Sequence, residues 1–124
     1  MIPLKFTVAV FLMTAPAWAQ FSREDMTKLA ADRFDTAVKT LKLSADQAAA
    51  IKPLLETKYV DIGQVKDVYR ASDKGHDSKK EARDSLKAID GKFNGQINSI
   101  FTPEQAKEWK RMQKDWKDDL ILPK

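Results

Sequence analysis

Few side chains in this sequence could carry covalent chemistry. It has one histidine, His76, and no cysteine, which removes thiol catalysis and thiolate metal sites. His76 stands beside Asp73 and Asp77, with Glu81 nearby, in "ASDKGHDSKK", residues 71–80, a stretch rich in turn formers and charge. Zinc, nickel and copper sites gather several imidazole or thiolate ligands. His76 is therefore a metal candidate only if a dimer pools two copies, and "DKGHDSKKE" lacks the spacing of an EF-hand loop. No nucleophile elbow, phosphate-binding loop or metal-hydrolase helix motif is present. The chain reads as a non-enzyme that needs no cofactor.

The hydroxyl groups that do recur in a pattern are Ser44 and Thr102. "LSADQAAAIKPLL" (43–55) and "FTPEQAKEWKRMQ" (101–113) open alike, with a glutamine three residues after each hydroxyl. Ser and Thr are preferred helix N-caps because their oxygens accept bonds from unpaired first-turn N–H groups. Gln47 and Gln105 can reach back to the N–H of the cap residue, which completes a capping box. Pro103 suits the first helical position, where its missing N–H costs nothing. Asp46 and Glu104 place negative charge at the positive end of the helix dipole. Leu43 and Phe101 precede the caps and can fold over the first turns.

These boxes must start helices, and the apolar spacing supplies them. Over 22–42, Met26, Leu29, Ala30, Phe34, Ala37, Val38 and Leu41 recur at three- and four-residue steps and share one face. From 45 to about 71, Ile51, Leu55, Ile62, Val65 and Tyr69 form a second stripe, widened by Leu54, Tyr59 and Val68. Lys58 falls where the strict period asks for an apolar residue. Pro53 removes one helical hydrogen bond, so a kink is expected near Ala49. A third helix is expected from Ser78 to Ser99, with Ala82, Leu86, Ile89, Phe93, Ile97 and Ile100 in line. Gly91 and Gly95 each weaken it by about 1 kcal/mol relative to alanine, and mark either tolerated flexibility or a closely approaching helix. The fourth runs from Pro103 to about Asp119, and "ILPK" reads as a tail. Trp109, Met112 and Trp116 on it can pack inward or form an exposed aromatic strip. With no β-alternation of useful length, the fold class is all-α: an elongated four-helix protomer.

The first nineteen residues stand apart. "MIPLKFTVAVFLMTAPAWA" has one lysine, an apolar run and Ala17-Trp18-Ala19, the pattern of a cleaved secretory signal peptide. The alternative, an uncleaved anchor, needs about 20 apolar residues to span a bilayer, and the run is shorter. Residues 20–124 then form a single domain with no stable membrane insertion. Without cysteine it relies on packing or oligomerisation rather than disulfides. The full chain carries 22 Lys+Arg against 18 Asp+Glu, closely interleaved, as in "KEWKRMQKDWKDD". No concentrated basic stripe marks a nucleic-acid binder.

The paired boxes resemble the "LTxxQ" motifs of the Spy/CpxP family of small periplasmic proteins. The matching residues are Leu43, Ser44 and Gln47, then Phe101, Thr102 and Gln105, with Ser for Thr in the first motif and Phe for Leu in the second. The resemblance implies long antiparallel helices in a protomer that forms a thin, curved homodimer in the periplasm. It further implies an ATP-independent chaperone that binds unfolded or misfolded envelope proteins during stress. Other roles in the family are an adaptor or regulator of an envelope-stress sensor kinase, whose sensor domain would be the partner, and a heavy-metal-responsive protein. For client binding, the mixed aromatic and cationic residues Arg33, Phe34, Lys58, Tyr59, Lys66, Tyr69 and Arg70 are the candidates.

Overall fold

The computed structural model describes residues 17–123, with side chains from Arg23 onward, so most of the expected signal peptide lies outside the described residues. The elements are α1 (Ala17–Leu41), α2 (Ala45–Ala71), α3 (His76–Asn98) and α4 (Pro103–Asp115), followed by a 3-10 turn (Lys117–Leu120). No strand occurs among the described residues. None of their helices is long and apolar enough to cross a membrane.

Helix α1 packs along α2, α2 along α3, and α4 lies against α1. The core follows the expected stripes: Ala30, Ala37 and Leu41 from α1 meet Ile51, Leu55, Tyr59 and Ile62 from α2, then Leu86 and Ile97 from α3, and Trp109 and Met112 from α4. Lys28, Asp32, Asp35 and Lys39 occupy the exposed side of α1. Val68 departs from the pattern. Its position widens the stripe on paper, yet 71% of it is exposed, because α3 covers only part of the α2 face at that level.

Three boundaries differ from the sequence reading. Helix α3 starts two residues early, at His76, because Asp73 builds the turn before it: its Oδ1 accepts from Gly75 N at 2.8 Å and from Ser78 Oγ at 2.8 Å. That short-range carboxylate bonding is what makes Asp a turn former. Helix α4 stops at Asp115 although nothing in "KDWKDDL" breaks a helix; Trp116, Asp119 and Leu120 are instead drawn onto the core. Helix α1 begins at Ala17, inside the expected leader. Pro53, by contrast, leaves α2 unbroken. Both Pro53 and Ala49 are exposed, so the carbonyl that loses its helical donor lies on the outer surface.

The end of α1 is tight. Lys42 adopts a left-handed φ of 52° and Leu43 N donates to Val38 O at 3.2 Å, the six-to-one closure of a Schellman ending with lysine where glycine is usual. Leu43 is thereby swung back against the core.

Glycines separate a crowded face from an open one. A Cβ at Gly63 would sit 2.5 Å from Met26 Cγ, whereas a Cβ at Gly91 or Gly95 meets nothing within 4 Å. Gly91→Ala should therefore raise stability by about 0.5–1 kcal/mol, the helix-propensity difference, read as a higher urea midpoint. Gly63→Val should lower the midpoint, since the Met26 side chain fills the space the new side chain needs and must move. A destabilising Gly91→Ala would mean that another helix covers this side of α3.

Candidate functional site

Both capping boxes form in full. Gln47 N donates to Ser44 Oγ at 3.1 Å while Ser44 N donates to Gln47 Oε1 at 3.0 Å. In the second box Gln105 N donates to Thr102 Oγ1 at 3.2 Å and Thr102 N to Gln105 Oε1 at 3.0 Å. Leu43 and Phe101 tuck under their helix starts as partly and fully buried residues.

The fold then joins the two boxes. Gln47 Nε2 donates to Gln105 Oε1 at 2.7 Å, and Gln105 Nε2 donates back to Gln47 Oε1 at 3.3 Å. The second N–H of each amide reaches the chain segment leading into the other box: Gln47 Nε2 to Ile100 O at 3.3 Å, Gln105 Nε2 to Leu41 O at 3.1 Å. An amide has two donors and two acceptor lone pairs. All four are used on both glutamines, in an arrangement that looks the same from either side.

A second polar cluster lies farther along α1 and α2. Asp119, from the 3-10 turn, is 9% exposed. It accepts from Arg33 Nη2 at 2.7 Å and Nε at 3.0 Å, a bidentate pair, and from Tyr59 Oη at 2.6 Å. The Arg33 guanidinium also lies 4.8 Å from the centroid of Trp116. Trp116 stacks edge-on against Trp109, and Trp109 against Phe101, at 5.6 Å in each case. Lys58, 2% exposed, is held by Asp90 at 3.1 Å, Asn94 at 3.2 Å and Gln113 at 3.3 Å.

Protonation follows from these surroundings. Burial pulls Lys58 below the usual lysine value, opposed by the Asp90 carboxylate. Burial likewise lowers Lys66. The hydrogen bonds to Asp119 raise Arg33 further. Tyr59 is pushed well above its ordinary value, first by burial and then by its bond to Asp119.

The seven candidate client-binding residues divide. Arg33, Lys58, Tyr59 and Lys66 gather around the Asp119 cluster. Lys58, Tyr59 and Tyr69 are buried within the protomer, so their surfaces are spent on the fold rather than presented outward. Phe34 and Lys66 are half-buried and Arg70, paired with Asp67 at 2.9 Å, is exposed. His76 is exposed at the first position of α3, and no group of three or more potential metal ligands occurs among the described residues. Asp119, Asp90, Asn94 and Gln113 were not singled out from sequence. The misplaced lysine at 58 was the available signal, because a charge in an apolar register needs partners; for Asp119, one of two adjacent aspartates in a charged run, there was none.

Two open grooves flank this framework. One, of about 730 Å³, runs between α3 and α4, lined by Asn94, Asn98, Ala106, Trp109 and Gln113. Trp109 Nε1 and Gln113 Nε2 are buried donors without a partner among the described residues. The other, of about 680 Å³, lies between α2 and α3 and includes Val65, Val68, Tyr69, Ala82 and Ile89. Compared with models of protein families, with curated proteins and with solved structures, the chain matches none.

Gln47→Glu tests the amide pair. A carboxylate still accepts from Ser44 N, so an isolated capping box would tolerate it. Here it removes two donors and sets an anion against Gln105 Oε1, which should cost about 2–3 kcal/mol at neutral pH. The new carboxyl is favoured in its protonated, donating form by the fold, so its folded value is raised. Stability should then be recovered at acidic pH and lost as pH rises through that value. A variant as stable as the parent across the range would show the cross-pair to contribute nothing.

Tyr59 supplies an alkaline counterpart. The folded state keeps a proton that the unfolded chain releases near its ordinary value of 10.0. Stability is therefore present below that pH and falls as pH rises beyond it. The lowered lysines act oppositely, adding stability as pH climbs towards 10.5. Tyr59→Phe should cost about 2 kcal/mol at pH 7 through the lost bond to a charged acceptor. Its loss of stability above pH 10, followed by urea denaturation, should be shallower than that of the parent.

Proposed function

We propose that this chain is a periplasmic, ATP-independent holdase that binds unfolded or misfolded envelope proteins, and that it works as a thin homodimer of long antiparallel helices. The observation that carries the reading is the meeting of the two boxes. Each box alone is an ordinary helix start, but their glutamines complete one another across 58 residues of sequence. That is a reason for the chain to keep both copies of the motif on which the resemblance to the Spy/CpxP family rests.

The surface chemistry supports the same reading. The grooves are shallow and open rather than enclosed, and they mix apolar walls with charged rims. Val68 is a large apolar side chain left in water, on the same groove as Gln64 and Ser72. Exposed apolar ground rimmed by polar groups marks interaction surfaces, and weak, non-specific capture needs no deep pocket. Charge close to balance, +4 for the full chain, leaves a mild attraction for acidic segments. A domain of about 105 residues buries a modest share of its surface, which favours a second copy.

The test is light scattering from a thermally or chemically aggregating client, with the mature protein added and ATP absent. Near-stoichiometric protein should suppress aggregation of several unrelated clients, and Val68→Asp should weaken suppression several-fold without unfolding the chain. Multi-angle scattering on the same sample should give a dimeric mass. Failure with every client overturns the holdase reading; a monomeric mass at micromolar concentration overturns the dimer.

A further inference from the structure

After α4 the chain folds back over α1 and α2 as a strap, residues 116–122. We propose that the surface beneath it is a peptide-binding groove, selective for an aromatic residue followed three positions later by a carboxylate and then by leucine, and that the chain's own strap is its resident ligand. The partner is a segment of another protein with that chemistry, entering when the strap leaves.

Arg33 provides the selectivity. One guanidinium lies over the Trp116 ring and closes a bidentate pair on Asp119, so it reads two side chains three residues apart. Planar bidentate pairing of this kind fixes geometry as well as charge. Tyr59 Oη adds a third donor to the same carboxylate. Leu120 and Leu122 rest on the core while Ile121 between them is 59% exposed. Ile121 is extended, with φ −81° and ψ 133°. The 3-10 turn Lys117–Leu120 sets Trp116 and Asp119 on the same side of the strap, since side chains three apart eclipse in that geometry, and inward and outward side chains alternate over the extended end, residues 120–122.

Among the described residues, the strap's hydrogen bonds to α1 and α2 run through its side chains. Its backbone bonds are local, Asp119 N to Trp116 O and Ile121 N to Asp118 O, and none reaches α1 or α2 among the described residues. Nothing in that attachment requires the ligand to be in cis. An open cavity of about 540 Å³ lies along the strap, walled by Lys58, Tyr59 and Ile62 of α2 on one side and by Trp116, Asp119 and Leu120 of the strap on the other. Beside Asp119 stand Arg33, paired with it, and Lys66, within reach of its field, while Lys58 is already matched by Asp90; the surplus of positive charge under the strap suits an acidic entrant. The groove stands on this geometry; only its use for clients rests on the holdase reading.

The probe is a fluorescein-labelled peptide of residues 114–123, KDWKDDLILP, titrated by anisotropy onto the full chain. A resident strap reduces the apparent affinity by the fraction of time the groove is empty. Asp119→Asn in the protein weakens the strap and should tighten peptide binding at least about tenfold, or 1.4 kcal/mol. The same peptide carrying Asp119→Asn should bind neither protein. Should Asp119→Asn lose its helical circular dichroism, Leu122→Ala, which leaves the ion pair in place, serves for the same comparison. Equal affinity for parent and variant, or binding indifferent to the peptide's aspartate, overturns the proposal. The same variants added to an aggregating client separate the two readings. Peptide exchange without client suppression upholds the groove and overturns the holdase alone.

Discussion

The paired side-chain amides of Gln47 and Gln105 are the constraint on which the layout depends. Each oxygen finishes a helix start, and each nitrogen bonds the other amide and a carbonyl of the segment entering the other box. Two turns far apart in sequence, Leu41–Ser44 and Ile100–Thr102, are thereby fixed side by side. Individual neutral hydrogen bonds contribute only about 1 kcal/mol net. The set is worth more than that suggests, because losing one partner strands groups that are already half-buried and mutually polarised. The pairing also accounts for residue type. A capping box accepts Glu or Gln, but only the amide carries donors for the cross-bonds.

From that fixed end, α1 and α2 run towards a second polar cluster whose energetics differ. Arg33, Asp119, Lys58 and Asp90 are charges removed wholly or partly from water. Desolvation can cancel most of what such pairs gain, so they contribute selectivity of arrangement more than stability. Their geometry decides where α4 ends. A helix continued beyond Asp115 would carry Asp119 away from Arg33 and leave that guanidinium, with 18% of its side chain exposed, the exposed Asp32 carboxylate at 3.5 Å in place of a bidentate pair. Bending at Trp116 satisfies Arg33 twice, through the ring and through the carboxylate.

What the sequence made legible was local. The two boxes, the apolar stripes and the break at 71–80 depend on residues within a turn or two of each other, and they appear where the spacing places them. The joining of the boxes depends on tertiary approach, and no spacing within either motif encodes it. Lys58 lies between. Its register asked for burial and its charge argued against it, and the fold resolves the conflict by bringing Asp90, Asn94 and Gln113 to it from α3 and α4. Val68 is the converse case, an apolar residue in register that no helix reaches. Asp119 had no local signal, because one acidic residue in "WKDDL" looks like its neighbour until Arg33 and Tyr59 are seen to converge on it.

The same division bears on how a surface of this kind can hold other proteins. Aromatic residues read as candidates from sequence, Tyr59 and Tyr69, are enclosed by the protomer's own helices. What remains outside is a thinner chemistry: Val68, the edges of Phe34 and Trp116, and the stems of lysine and arginine, which cover apolar ground while keeping their charge in water. Such a surface cannot enclose a ligand, and its attraction for any one segment is small. In the proposed holdase role it would meet many different unfolded segments at several points. A rigid framework favours that use, since the protein side of each encounter loses little conformational freedom. The glutamine pair and the Arg33–Asp119 cluster tie down the two turns and the end of α4, leaving the outer faces of α2 and α3 unoccupied between them.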